Sequence, residues 1–189
     1  MVIAIDLDGC VFDTEEYYRT YAQLWDIALV GNGLQNAEEM HVHKRFGWDQ
    51  ETANQFYEKY TAQVLETAPI KPGAKYVLDQ LKKQGHKLVC ITLRGYYREC
   101  EISITDKRLQ DAGISFEKIV YNQKNKLQAC LDEKVDVIVD DNPDTMLLLS
   151  ENNIKCLHFR GAGLRKVSHD NVIEVQNWAD VLEKINNLK

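Results

Sequence analysis

The chain has 189 residues, enough for one solid core or a core with a modest insertion. Apolar residues at 44% and charged residues at 28% are ordinary for a globular protein, and the net charge of −6 gives no electrostatic reason to expect nucleic acid as a partner. No apolar run approaches the roughly 18 residues of a membrane span, and no basic stretch leading into an apolar one marks a signal peptide.

The five cysteines (Cys10, Cys90, Cys100, Cys130, Cys156) are scattered, odd in number and form no CxxC pair. They read as reduced thiols, most of them small core residues, so a cytoplasmic protein is expected.

Val2 to Leu7 reads as a buried strand, too short and too β-branched for a helix. It carries Asp6 and Asp8, which alternation places on one side, and it ends at Gly9, where the chain can turn sharply. Two carboxylates on a buried strand are costly, and the carboxyl end of a strand in an open α/β sheet is where ligands bind. From Asp13 a helical pattern begins, with Asp13 and Glu16 spaced as a capping box and Tyr17, Tyr21, Leu24, Trp25 and Ala28 at helical intervals. Gly31-Asn32-Gly33 breaks it. Helices are expected from about Ala37 to Phe46 and from Asp49 to Leu65, and no strand pattern appears between roughly Thr14 and Ala68. Residues 14–68 therefore read as a small all-helical unit inserted after the first strand, with the core in 1–13 and 69–189.

After Pro69-Ile70-Lys71-Pro72-Gly73 the chain alternates. Helices are expected over Ala74–Gln84, Glu99–Ala112, Lys126–Glu133, Asp144–Asn152 and Trp178–Leu188. Strands are expected over Lys87–Thr92, Lys118–Tyr121, Val135–Val139, Ile154–Phe159 and, at an edge, Val172–Val175. This alternation predicts an α/β fold, a Rossmann-like three-layer core on a mainly parallel sheet with right-handed crossovers.

A parallel sheet brings the strand ends to one rim: Asp6 and Asp8, Thr92 with Leu93 and Arg94, the Lys124–Lys126 loop, and Asp140-Asp141. Two carboxylates about 4 Å apart repel by roughly 4 kcal/mol at an effective dielectric of 20, so four together need a cation or shifted pKa values. Oxygen-only ligands suit a hard ion such as Mg²⁺. A carboxylate can attack phosphorus, a second can shuttle protons, and a hydroxyl and a lysine can hold phosphoryl oxygens.

These residues carry a resemblance. DLDGCVFDT at 6–14, ITLRG at 91–95 and VIVDDNPD at 137–144 resemble three motifs of the haloacid dehalogenase superfamily of phosphotransferases, and PIKPGAKYVLDQLKKQGHKLVCIT resembles the usual approach to the second. The similarity extends over essentially the whole chain, and the helical insertion falls where that superfamily carries a helical cap. The short insertion and the DDNP ending look most like the 5′(3′)-deoxyribonucleotidase branch and its bacterial relatives. The resemblance implies a Mg²⁺-dependent phosphomonoester hydrolase working through an aspartyl-phosphate, with a small phosphorylated metabolite, a nucleotide first, as substrate. Phosphatases of sugar phosphates, phosphomutases and a non-catalytic phosphate-binding relative are the alternatives, and a homodimer is left open.

Carried onto this sequence, Asp6 is nucleophile and metal ligand, and Asp8 is general acid/base and ligates Mg²⁺ through its carbonyl. Thr92, with Leu93 and Arg94, binds phosphate, although an ion pair serves Arg94 equally well. Asp140 is a metal ligand and Asp141 supports the metal; Asp144 reads as a helix N-cap. The superfamily requires one lysine at the start of the helix before the acidic strand, and Lys126 is preferred over Lys124. His41 and His43 form HxH without a completing ligand set and read as surface residues. The aromatics Phe12, Tyr18, Phe46 and Trp48 are candidates for either a pocket wall or the core of the helical unit, with the core favoured. Lys71, Lys75, Lys82 and Lys83 read as a solvated helix face.

Overall fold

The computed structural model describes residues 1–160 and 165–188. Six parallel strands, β1 (Val2–Ile5), β2 (Lys87–Ile91), β3 (Lys118–Val120), β4 (Val137–Asp140), β5 (Lys155–Phe159) and β6 (Val172–Val175), lie in the order β3-β2-β1-β4-β5-β6. The order reverses between β1 and β4, so these neighbours flank the switch point where open α/β sheets bind ligands. Register sets the rim: Ile5 pairs with Cys90 and with Val139, and the Asp6 amide still donates to the Val139 carbonyl at 2.9 Å. β1 thus ends at Ile5 and β2 at Ile91, each short of the expected end, because Asp6 and Thr92 keep one ladder bond and then leave the sheet.

Alternation divides the buried strand residues between two faces. Ile3, Ile5, Leu88, Cys90, Val137 and Val139 pack against helices α4 (Ala74–Lys83), α5 (Cys100–Asp111) and α8 (Trp178–Asn187). Ala4, Val89, Ile91 and Ile138 pack against α6 (Lys126–Asp132) and α7 (Pro143–Glu151). The helix stops follow the sequence: Gly85 and Gly113, at φ 82° and 62°, take the left-handed conformation after α4 and α5.

The helical segment has its own apolar cluster. Helices α1 (Thr14–Trp25), α2 (Val42–Arg45) and α3 (Gln50–Thr67) bury Ala22, Trp25, Val42, Phe46, Trp48 and Phe56 together. Phe46 and Trp48 belong to that cluster as favoured, whereas Phe12 belongs to the sheet core. Helix α1 widens into a π-helical turn over Asp26–Val30 and stops at Gly31. The buried Asp26 carboxylate is the local tie, accepting from the Asn32 and Gly33 amides and from Trp48 Nε1 at 3.3, 2.7 and 2.8 Å.

Two local expectations fail here. The helix expected over Ala37–Phe46 shrinks to Val42–Arg45 because buried Arg45 donates to the Ala37 and Glu39 carbonyls (2.6 and 3.0 Å), bonds that satisfy a loop in place of a helical ladder. The Asp13–Glu16 capping box does not form: the Asp13 carboxylate makes no cap bond and pairs instead with Lys71 at 2.7 Å. Lys71 is therefore no solvated helix residue. With the Asp13 amide on the Pro69 carbonyl (2.9 Å) and the Lys71 amide on the Val11 carbonyl (2.8 Å), it staples the two strands of chain that connect the helical segment to the sheet.

Because the helical cluster is separate from the sheet core, its central ring can be tested alone. Phe56→Ala is expected to cost about 3–5 kcal/mol. Denaturant unfolding followed by near-ultraviolet aromatic signal should lose cooperativity in the helical segment first, with the sheet transition displaced less.

Candidate active site

Lys126, the first residue of α6, stands behind the β3–α6 loop, where Asn125 caps the helix by accepting from the Leu127 amide. Its ammonium is buried and donates to Asp6 Oδ1 at 2.7 Å and to Asp140 Oδ2 at 2.6 Å. Lys124 is exposed and lies over the Tyr96 ring, so the lysine at the acidic rim is Lys126. Burial alone would make Lys126 less basic; Asp140 and Asp6 outweigh it and hold the ammonium charged.

The two carboxylates of the first motif occupy different surroundings. Asp6 is buried, and that burial, opposed by Lys126 but reinforced by Asp140 and Asp8, raises its pKa to about 7. Asp8 opens toward solvent with its side chain 35% exposed, and Arg94 grips it in a bidentate pair, Nε to Oδ2 at 2.9 Å and Nη2 to Oδ1 at 2.7 Å. Burial pulls Asp8 upward, but Arg94, Thr14 and Lys126 outweigh it and leave the carboxyl below its ordinary range. The third nitrogen of Arg94 donates to Thr105 Oγ1 at 3.0 Å. The structure thus gives Arg94 the ion-pair geometry that was one of its two readings, while leaving it on the wall of a cavity.

Thr92 is fully buried just past β2, where its hydroxyl accepts from the Arg94 amide at 3.3 Å; Leu93 is half-exposed beside it. Asp140 ends β4 with both oxygens engaged, Oδ2 by Lys126 and Oδ1 by the Asn142 amide at 2.8 Å. The next residue differs. Asp141 is buried, yet its Oδ2 has no hydrogen-bond partner, and burial together with Glu15, Asp140 and Asp6 pushes its carboxyl well up. That oxygen crowds Gly9, where an added Cβ would lie 1.9 Å from it and where φ is +73°. His158, on β5, donates from Nε2 to the Asp141 carbonyl at 3.1 Å and steadies this corner.

The residues present fit a hard divalent cation. Carboxylate oxygens of Asp6 and Asp141 lie close together beside Asp140, and the orphaned Asp141 Oδ2 is a buried acceptor with no protein partner. Asp144 takes no part: it is exposed in the first turn of α7 and pairs with Arg165, and the N-cap expected of it is supplied by Asn142, which accepts from the Asp144 and Thr145 amides.

Above Asp8 and Asp141 lies a cavity of about 600 Å³ between the helical segment and the sheet rim. Tyr18 lines it, the one pocket-wall candidate of the four aromatics that holds that place, and so does His41, which also stacks on His43. Sequence reasoning missed Glu15, Arg19, Tyr57, Glu58, Arg98 and Glu101. The signal was present in part: Glu15, Tyr18 and Arg19 follow the first motif at helical spacing, and Asn54, Glu58, Thr61 and Leu65 form one stripe of α3. Arg98 and Glu58 pair across the cavity wall at 3.2 Å, joining the loop after β2 to α3.

A family model described as NLI interacting factor-like phosphatase matches residues 1–189. The chain belongs to that family. It is also 24% identical over 181 residues to a nucleotidase of Clostridium acetobutylicum, an alignment that covers 95% of this chain and 90% of the relative. Among solved structures, the fold is similar to a predicted phosphatase from Clostridium acetobutylicum (TM-score 0.67, 15% identity, 98% of each chain). It is similar as well to a haloacid dehalogenase-like family hydrolase from Xanthomonas campestris (TM-score 0.65, 14% identity, 100% of this chain and 91% of that one). The chain is thus a phosphatase, a phosphoric monoester hydrolase, and its α/β Rossmann-like core is the one read from its sequence. No helix of the described residues is long and apolar enough to cross a membrane.

The surroundings of Asp6 carry a pH signature. A carboxyl whose folded pKa of about 7 exceeds its unfolded value contributes stability at low pH that is lost as pH rises through that interval. In metal-free buffer, stability is expected to fall by a few kcal/mol between about pH 4 and pH 7 on this account. Asp6→Asn should flatten that fall, as read from denaturation midpoints across the window.

Proposed function

We propose that the protein is a Mg²⁺-dependent phosphomonoester hydrolase acting on nucleoside monophosphates, deoxyribonucleotides included, through an aspartyl-phosphate on Asp6. The observation that carries this reading is the pairing at the rim. Lys126 sits between Asp6 and Asp140, while Asp8, held by Arg94, faces a cavity large enough for a small ligand. In this reading residues 14–68 are a cap over a core of residues 1–13 and 69–189, and the substrate lies between them.

The Asp6 carboxylate attacks phosphorus in line, the bond to the leaving oxygen breaks, and Asp8 gives that oxygen a proton. Arg94 keeps Asp8 ionised in the free protein. A bound phosphate brings negative charge beside Asp8 and competes for Arg94, and both effects favour the protonated form needed for this step. Water then cleaves the aspartyl-phosphate as Asp8 takes its proton, which restores Asp6 and releases inorganic phosphate. Lys126, Thr92 and the Leu93-Arg94 segment hold the non-bridging oxygens. Asp6, the Asp8 carbonyl, Asp140 and Asp141 would hold Mg²⁺, which supplies charge neutralisation at the phosphoryl group.

Support for a nucleotide comes from the cavity and from the nucleotidase among the relatives. Tyr18, Tyr57 and Tyr97 give the wall aromatic faces on which a base can stack. A sugar phosphate is the second reading, favoured by the polar stripe of Gln50, Asn54 and Glu58 on the same wall.

Asp6→Asn should lower turnover of an aryl phosphate by more than about 10³-fold while circular dichroism stays native. Full activity would refute the nucleophile, and undiminished turnover in excess chelator would remove the metal. In a substrate panel, deoxynucleoside monophosphates should exceed sugar phosphates in kcat/KM; the reverse order would select the second reading.

A further inference from the structure

The acidic corner contains one group that phosphoryl transfer does not use. Cys10 is fully buried immediately after Gly9, and its backbone is pinned because its carbonyl accepts Trp178 Nε1 at 2.9 Å. Its sulfur, one Asp6 oxygen and one Asp141 oxygen lie within 4.8 Å of one another, and all three residues are buried. Two of these groups have little other employment. The Asp141 Oδ2 that overlies Gly9 has no hydrogen-bond partner, and only Oδ1 of Asp6 is engaged by Lys126.

We propose that Cys10, Asp6 and Asp141 form a site for a thiophilic divalent cation, Zn²⁺ or Cd²⁺, that competes with Mg²⁺ at the sheet rim. The choice of ion follows from the ligands. Mg²⁺ takes hard oxygens and leaves a thiol alone, whereas Zn²⁺ binds a thiolate and carboxylates in tetrahedral geometry with one position left for water. Zinc–sulfur and zinc–oxygen bond lengths put tetrahedral ligand atoms about 3.6 Å apart, so the triad closes with shifts of about 1 Å that side-chain rotation can supply. In the step itself the Cys10 S–H bond breaks, a sulfur–metal bond forms, the proton leaves to solvent, and nothing is oxidised or reduced. Asp6 and Asp141 are common to both ligand sets, so one ion excludes the other. A soft cation would thereby silence the enzyme by holding its nucleophile. Asp141 is among the residues lining the cavity, which gives the ion its approach.

The test is a Cd²⁺ titration of the metal-free full-length protein. A cadmium–thiolate charge-transfer band should saturate at one ion per chain, and Mg²⁺ should displace its midpoint upward. Cys10→Ala should lack the band, whereas Cys100→Ala, which removes the exposed thiol, should keep it. Asp141→Asn should keep the band but weaken Cd²⁺ binding by at least about tenfold by calorimetry. A band that survives Cys10→Ala, or one that disappears with Cys100→Ala, overturns the proposal. Should Cys10→Ala fail to fold, unchanged Cd²⁺ affinity in Asp141→Asn overturns it instead. The site shares residues with the Mg²⁺ reading without depending on it: a normal Cd²⁺ band in a protein whose turnover ignores chelator would refute Mg²⁺ catalysis alone.

Discussion

The structure of this phosphatase depends on one ammonium group placed between two buried carboxylates. Asp6 and Asp140 end neighbouring strands, and their strands cannot pair without bringing the two charges together. Lys126 reaches them from the first turn of α6. Removing one partner of such a buried arrangement costs about 3–5 kcal/mol because the remaining charge is left unpaired. The pairing is nonetheless incomplete. One lysine faces Asp6, Asp140 and the nearby Asp141, so the carboxyls of Asp6 and Asp141 are pushed up and one acceptor oxygen is left that no protein group satisfies. In the proposed reading, that unsatisfied oxygen is what suits the corner to a cation as well as to the core.

The same economy of partners separates the first motif's two aspartates. Both leave one strand on one side, and alternation alone would make them equivalent. Asp6 gains a buried position among other acids and moves upward; Asp8 gains Arg94 and moves downward. Pairs of titratable groups whose surroundings push them apart are the pattern from which acid, base and nucleophile roles are assigned. Arg94 does this from a position two residues past Thr92, so the chain just after the second strand supplies both the buried Thr92 hydroxyl and the group that sets Asp8.

Nearly all of the sheet core was legible in the sequence, because alternating strands and helices with Gly85 and Gly113 as stops leave few other folds. The rim was legible for the same reason: Asp6, Thr92 and Asp140 needed only a parallel order to converge, and Lys126 needed only a helix start. The helical segment was harder. Arg45 looks like an ordinary surface residue of a helix, and only in three dimensions does its guanidinium bind the Ala37 and Glu39 carbonyls and unwind that helix. Asp13 has the spacing of a cap, but Lys71 is 58 positions away and no local rule could weigh it against the cap. The cavity wall was illegible where it is made by residues of several elements. Arg98 gains meaning from its ion pair with Glu58, and Glu15 from the charge it places near Asp141, across segments that share no motif.

These long-range pairs also indicate how the helical segment is held to the core. The connecting strands are bonded to each other at Asp13–Pro69 and Val11–Lys71, and Arg108 donates to the Glu66 and Ala68 carbonyls at the end of α3. The connected end is therefore dense in backbone bonds. Farther along, α3 packs against α5, and the Arg98–Glu58 pair at the cavity wall adds an exposed ion pair, of a kind that contributes little. The segment is thus held in two ways: by backbone bonds where the chain enters and leaves it, and by a solvent-facing ion pair at Arg98–Glu58.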